Sequence, residues 1–192
     1  LPKPIAERIK QGETNIADSH PDVTVLVVDL VGFTTLSAHI SPAQLVQLLN
    51  EIFSAFDLLT GRRGLEKIKT IGDAYMVVAG VPIPRADHAP APVTLALRMN
   101  ESLHDLNAVR SLDLHLRTGL HSGPLAAGII GRNKFSYDLW GDTVNIASRM
   151  ESSAPLDTIH LSSATANLLG VARLLARVEV VGAHPVLPSW WA

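Results

Sequence analysis

Cysteine is absent from all 192 residues, which excludes a disulfide framework, a thiolate zinc site and a cysteine nucleophile. Aromatics are sparse at 5%, and the formal net charge is only −2. A chain so nearly balanced has no broad electrostatic grip on nucleic acid or on an anionic membrane. It also lacks the roughly 18 uninterrupted apolar residues of a membrane helix, and no signal-peptide pattern leads it. What it does have is 47% hydrophobic against 18% charged residues, enough apolar surface to pack one core in a chain of single-domain length. The missing thiols fit a reducing, cytoplasmic setting. Because the chain opens on Leu1, it is expected to be an excised domain, and a membrane-anchored parent stays open.

Residues 1–22 read as a polar helical lead-in (Ile5–Lys10) and a loop ending at His20-Pro21. Thr24 to Leu30 is a continuous β-branched run, the pattern of a buried strand. From Pro42 to Leu59 apolar residues recur at helical spacing, with Ser41 as N-cap and Pro42 at the first helical position. Leu65–Ile71 and Ala74–Ala79 read as two strands of a hairpin turning at Gly72-Asp73. A helix over Val93–Leu106 follows, then strands at Leu112–Leu120 and Leu125–Ile130 joined by a turn at Gly123-Pro124. Thr143–Met150 reads as a helix, Thr158–Leu161 as a strand, and Ser163–Leu169 as a helix ended by Gly170. The expected class is therefore α/β (α+β): a ferredoxin-like β-α-β-β-α-β antiparallel sheet with two helices on one face, plus a C-terminal extension.

That topology sets the first strand beside the hairpin, so Asp29 near the strand's end can meet Asp73 at the hairpin tip. Two converging carboxylates repel unless a cation lies between them, and hard divalent ions with oxygen ligands suit the place. Taken singly, Asp73 reads as a turn residue and Asp29 as a cap of the following helix. Only their convergence favours a metal site.

Three longer motifs make the reading specific. Val28-Asp29-Leu30-Val31-Gly32-Phe33-Thr34, Lys67-Ile68-Lys69-Thr70-Ile71-Gly72-Asp73-Ala74-Tyr75-Met76, and the segment from Tyr137 to Glu151 resemble, in order and spacing, the motifs of class III nucleotide cyclases. His121-Ser122-Gly123-Pro124 with Ala127-Gly128 is similar to that family's central strand pair. The resemblance implies a head-to-tail homodimer with shared active sites, two divalent cations (Mg²⁺ or Mn²⁺) and ATP as substrate. Asp29, Asp73 and the Leu30 carbonyl would bind metal in one subunit. Lys69 and Asp138 of the other would read the base, and its Asn145 and Arg149 would act on ribose and transition state. The residue types agree. Lysine is donor-only and ionised aspartate acceptor-only, so the pair suits adenine N1 and N6 and opposes guanine.

On this reading residues 23–182 form the catalytic domain and 183–192 an atypical tail. Relatives close with a glycine-flanked lysine for the triphosphate, whereas no lysine follows Lys134 here. Arg132, Lys134 and Arg177 remain the alternatives for that role. A guanylate cyclase, a non-catalytic nucleotide-binding or dimerisation module, and a polymerase-like palm domain are the competing readings. Lys69 with Asp138 opposes the first, Asn145 and Arg149 the second, and the Tyr137–Met150 segment the third.

Overall fold

In the computed structural model, which describes residues 1–131, 135–169 and 178–181, the run from Thr24 to Leu30 is the middle of a longer strand, β1 (Ala17–Val31). It follows helix α1 (Lys3–Lys10). Strict alternation divides β1 between two cores: Leu26, Val28 and Leu30 enter one, and Val23, Val25 and Val27 the other. The expected loop before Thr24 is in fact strand. Ala17–His20 pairs with Leu125–Gly128, and the ladder shifts register between His20 and Val23. Pro21 lies in that shift, where its missing N–H breaks no ladder bond.

The remaining elements run α2 (Phe33–Ser37), α3 (Pro42–Arg62), β2 (Glu66–Ile71), β3 (Ala74–Ala79), α4 (Pro90–Arg110), β4 (His115–Ile130), β5 (Ser136–Trp140), α5 (Asp142–Ser152), β6 (Thr158–Ser162), α6 (Ser163–Leu169) and β7 (Val178–Val181). α3 starts where its sequence predicts. The Ser41 hydroxyl accepts from the Gln44 N–H while the Gln44 side chain accepts from the Ser41 N–H, a complete capping box. The strand order is β2-β3-β1-β4-β6-β7, with β5 pairing on β4. Its β2-β3-β1-β4 portion is antiparallel, as the β-α-β-β-α-β reading requires, and β6 and β7 extend it in parallel.

The turn expected at Gly123-Pro124 does not form. β4 is one strand of 16 residues, because Pro124 falls opposite the β1 bulge and β1 pairs with the strand on either side of it. β5 had no sequence signal of its own. α3 and α4 cover one face, where Phe53 and Phe56 lie 5.4 and 5.7 Å from the ring of the fully buried Tyr75. The other face carries α1 and α5: Ile5, Ile16 and Ala147 pack there with Leu125, Tyr137 and Leu139. α5 lies so close to β4 that a Cβ on Gly119 would sit 2.5 Å from the Ala147 carbonyl oxygen. Gly170, Arg132, Lys134, Arg177 and the tail from 183 onward lie outside the described residues.

Candidate active site

β1 delivers Asp29 to the face beneath α5. Its neighbours across the ladders are Ala74 on β3 and Arg117 on β4. The hairpin tip is tied to the same point, since the Leu30 N–H donates to the Asp73 carbonyl at 3.3 Å. Asp29, Leu30 and Asp73 therefore do meet. Burial raises the Asp29 carboxyl above the usual range and the Asp73 charge raises it further, while Arg117 pulls the other way. A half-buried carboxyl raised by burial and by a neighbouring carboxylate sits in an anionic spot suited to added positive charge. Among the described residues no group of three or more His, Cys, Asp or Glu side chains is placed to hold a metal ion. The two carboxylates and the Leu30 carbonyl are hard-oxygen donors, the chemistry a divalent cation takes.

Two residues that the sequence reading passed over belong to this pocket. Arg117 is the cation directly opposite Asp29, a neighbour that only the strand register reveals. Glu151, on the last turn of α5, is only 8% exposed. Burial first, and then the Asp29 charge, push its carboxyl from 4.5 to about 7, against the opposing pull of Ser152 and Arg117. Because this folded-state pKa lies above the unfolded one, the neutral acid favours the fold. That contribution is whole below about 4.5 and disappears as pH rises through about 7. In metal-free buffer the stability of the chain relative to Glu151→Gln should therefore fall by up to about 3 kcal/mol across that window. Urea titrations at several pH values read the difference directly, and equal pH slopes for both proteins would contradict it.

A second cluster lies between β2 and β5. The Lys69 ammonium donates to the Asp138 carboxylate at 2.5 Å, and the Leu139 N–H donates to the other oxygen of Asp138 at 2.9 Å. β5 thus brings together two residues 69 positions apart in sequence. Asn145 and Arg149 stand one turn apart on α5, exposed and half-buried respectively. Their inward neighbours Thr143, Ala147 and Met150 anchor the helix. Among the described residues, neither the Asn145 nor the Arg149 side chain has a hydrogen-bond partner. Among the described residues no ion pair joins the Asp29–Asp73 cluster to the Lys69–Asp138 cluster.

The fold is a split β-α-β-β-α-β sheet that sets a carboxylate pair at one place and a lysine–aspartate pair at another. Residues 16–186 match the model of the adenylate and guanylate cyclase catalytic domain, and the chain belongs to that family. It is 48% identical to an adenylate cyclase of Mycobacterium tuberculosis over 162 residues, which are 84% of this chain and 37% of that protein. It is also 41% identical to a membrane guanylyl cyclase of Dictyostelium discoideum, over 88% of this chain and 12% of that protein. The chain therefore spans well under half the length of these relatives. Among solved structures, it superposes with a TM-score of 0.76 and 38% identity on the catalytic core of a rhodopsin-guanylyl cyclase with converted specificity, in complex with ATPαS. That match covers 80% of this chain and 83% of the other. Among the described residues no helix is long and apolar enough to cross a membrane.

Proposed function

We propose that this cyclase domain converts ATP to 3′,5′-cyclic AMP and pyrophosphate, at active sites shared between two copies of the chain arranged head to tail. The observation that carries the choice of base is the Lys69–Asp138 pair at 2.5 Å. Side by side, a donor-only and an acceptor-only group match adenine, which presents an acceptor at N1 and donors at N6. Guanine, with a donor at N1 and an acceptor at O6, leaves both unpaired.

In this reading Asp29 and Asp73, with the Leu30 carbonyl, hold two divalent cations, Mg²⁺ or Mn²⁺. When bound, such cations lower the pKa of the ribose 3′ hydroxyl and neutralise phosphate charge. Asn145 of the partner copy holds the ribose, so that the 3′ oxygen faces the α-phosphorus as its bond to pyrophosphate breaks. Arg149 of the same copy presents a permanently charged planar fork to the oxygens gaining charge there. With no lysine beyond Lys134, Arg117, opposite Asp29 in the ladder, would take the triphosphate. An ATP-consuming domain of this kind would work on the cytoplasmic side of whatever parent carries it.

The test is cyclic nucleotide formation from ATP and from GTP, with Mg²⁺ and Mn²⁺ compared, over a range of protein concentrations. Cyclic AMP should form at a rate that rises faster than protein concentration and should vanish in Asp73→Ala. Preferential cyclic GMP formation would give the guanylate reading, which the Dictyostelium relative favours. A folded protein that binds ATP and turns over neither nucleotide would show a binding module.

A further inference from the structure

Along β2 the lysines at 67 and 69 are two residues apart, so in a regular strand they would share one face of the sheet. They do not. Lys67 pairs with Val77 and Lys69 with Met76, leaving Ile68 as one extra residue between them. From Glu66 to Ile71 the chain takes five steps, while its partner takes four from Val78 to Ala74. The bulge turns Lys69 away from α3 and toward β5, where it meets Asp138. Ile68 goes with it and packs on the core beneath α5.

Two constraints create that excess. On the C-terminal side the hairpin fixes Ile71 opposite Ala74. On the N-terminal side Lys67 is fastened to the helical face: its ammonium lies 2.6 Å from an Asp57 oxygen on α3 and 4.8 Å from the centroid of the Tyr75 ring. The Tyr75 hydroxyl donates to the same Asp57 carboxylate. With both ends pinned, the surplus residue has nowhere to go but Ile68.

We infer that the Asp57–Lys67–Tyr75 anchor and the Ile68 bulge determine base selectivity by setting which face of the sheet Lys69 occupies. This rests on the assignment of Lys69 to base recognition. Asp57, Lys67 and Tyr75 lie on the α3 side of the sheet, opposite Asp138, and act as positioning residues through Lys69. Loss of the anchor frees β2 to move the bulge toward Glu66, which lets the lysine pairing with Asp138 drift without dismantling the core.

The experiment compares kcat/KM for the two purine nucleoside triphosphates in the unsubstituted chain and in Asp57→Ala, Lys67→Met and Lys67→Arg. The first two should lower the selectivity ratio by about tenfold, mainly through KM of the favoured nucleotide, and Lys67→Arg should retain most of it. In a Lys69→Ala background Asp57→Ala should change the ratio no further, since its effect runs through Lys69. A thermal melt accompanies each variant, and Lys67→Met keeps the aliphatic stem over Tyr75 should Asp57→Ala fail to fold. Equal losses on both nucleotides, or additivity with Lys69→Ala, would overturn the inference and leave a purely structural anchor. The ratio is taken in whichever direction the unsubstituted chain discriminates. A preference for GTP would thus sink the assignment of ATP while leaving this test intact, and no preference at all would sink both.

Discussion

Asp73→Ala and Arg149→Ala should each be inactive alone and should recover roughly a quarter of the unsubstituted activity when mixed in equal amounts. The arithmetic follows from a shared site. Half of the dimers in such a mixture carry one copy of each variant, and in those one of the two sites combines the intact half of each chain. Two separate clusters underlie this expectation: Asp29, Leu30 and Asp73 meet at the β1–hairpin junction, while Lys69 and Asp138 meet between β2 and β5. On the proposed function each single loss should reach a factor of about a thousand, because it would remove a group that acts with the others on the transition state. Measuring cyclic AMP formation against mixing ratio decides the matter. A mixture as silent as its parents would place each complete site within one chain.

Gly119→Ala should be among the most damaging single-methyl additions in the molecule. A Cβ there would stand 2.0 Å from the backbone nitrogen of Glu151 and 2.5 Å from the carbonyl oxygen of Ala147. Both obstacles are helix backbone, which cannot step aside as the end of a side chain can. α5 would have to lift from β4 as a unit, at a cost of about 3 kcal/mol or more. Because α5 also carries Asn145 and Arg149, activity should fall further than the loss of folded protein explains. Gly72→Ala is the control. Its φ of +62° strains any side chain, yet nothing lies within 4 Å of the added carbon, so the expected cost is only about 1 kcal/mol. Urea melts of both variants test the contrast, and equal destabilisation would contradict it.

Much of this fold is legible in the chain because its signals are local. The run at Thr24–Leu30, the cap at Ser41-Pro42 and the turn at Gly72-Asp73 each dictate their own geometry, and the β-α-β-β-α-β order follows from their sequence. What escaped was set by distant partners. Pro124 reads as a turn until β1 supplies a bulge opposite it. Ser136–Trp140 is too short and too mixed to read as a strand without β4 beside it. The site divides in the same way. Asp29, Asp73, Lys69 and Asp138 lie in motifs that can be read by eye. Arg117 and Glu151 gain meaning only from the ladder that sets Arg117 opposite Asp29 and the burial that leaves Glu151 under the Asp29 charge. Alternation even misplaces Lys69, since a period of two keeps it on the face of Lys67.

The contact between Lys69 and Asp138 also sets a condition on anything that enters between them. Each already satisfies the other, so on the proposed function an incoming base would compete with an internal partner and would not fill a vacant socket. A base that replaces both halves of the contact restores two charge-assisted hydrogen bonds for the one it breaks. A base that replaces only one half leaves the other charge stranded in a partly dried pocket. The closed pair would then act as a built-in competitor, displaced only when donor and acceptor arrive together. On that function, rejection of the wrong purine would come as much from the stability of the resting contact as from the fit of the right one.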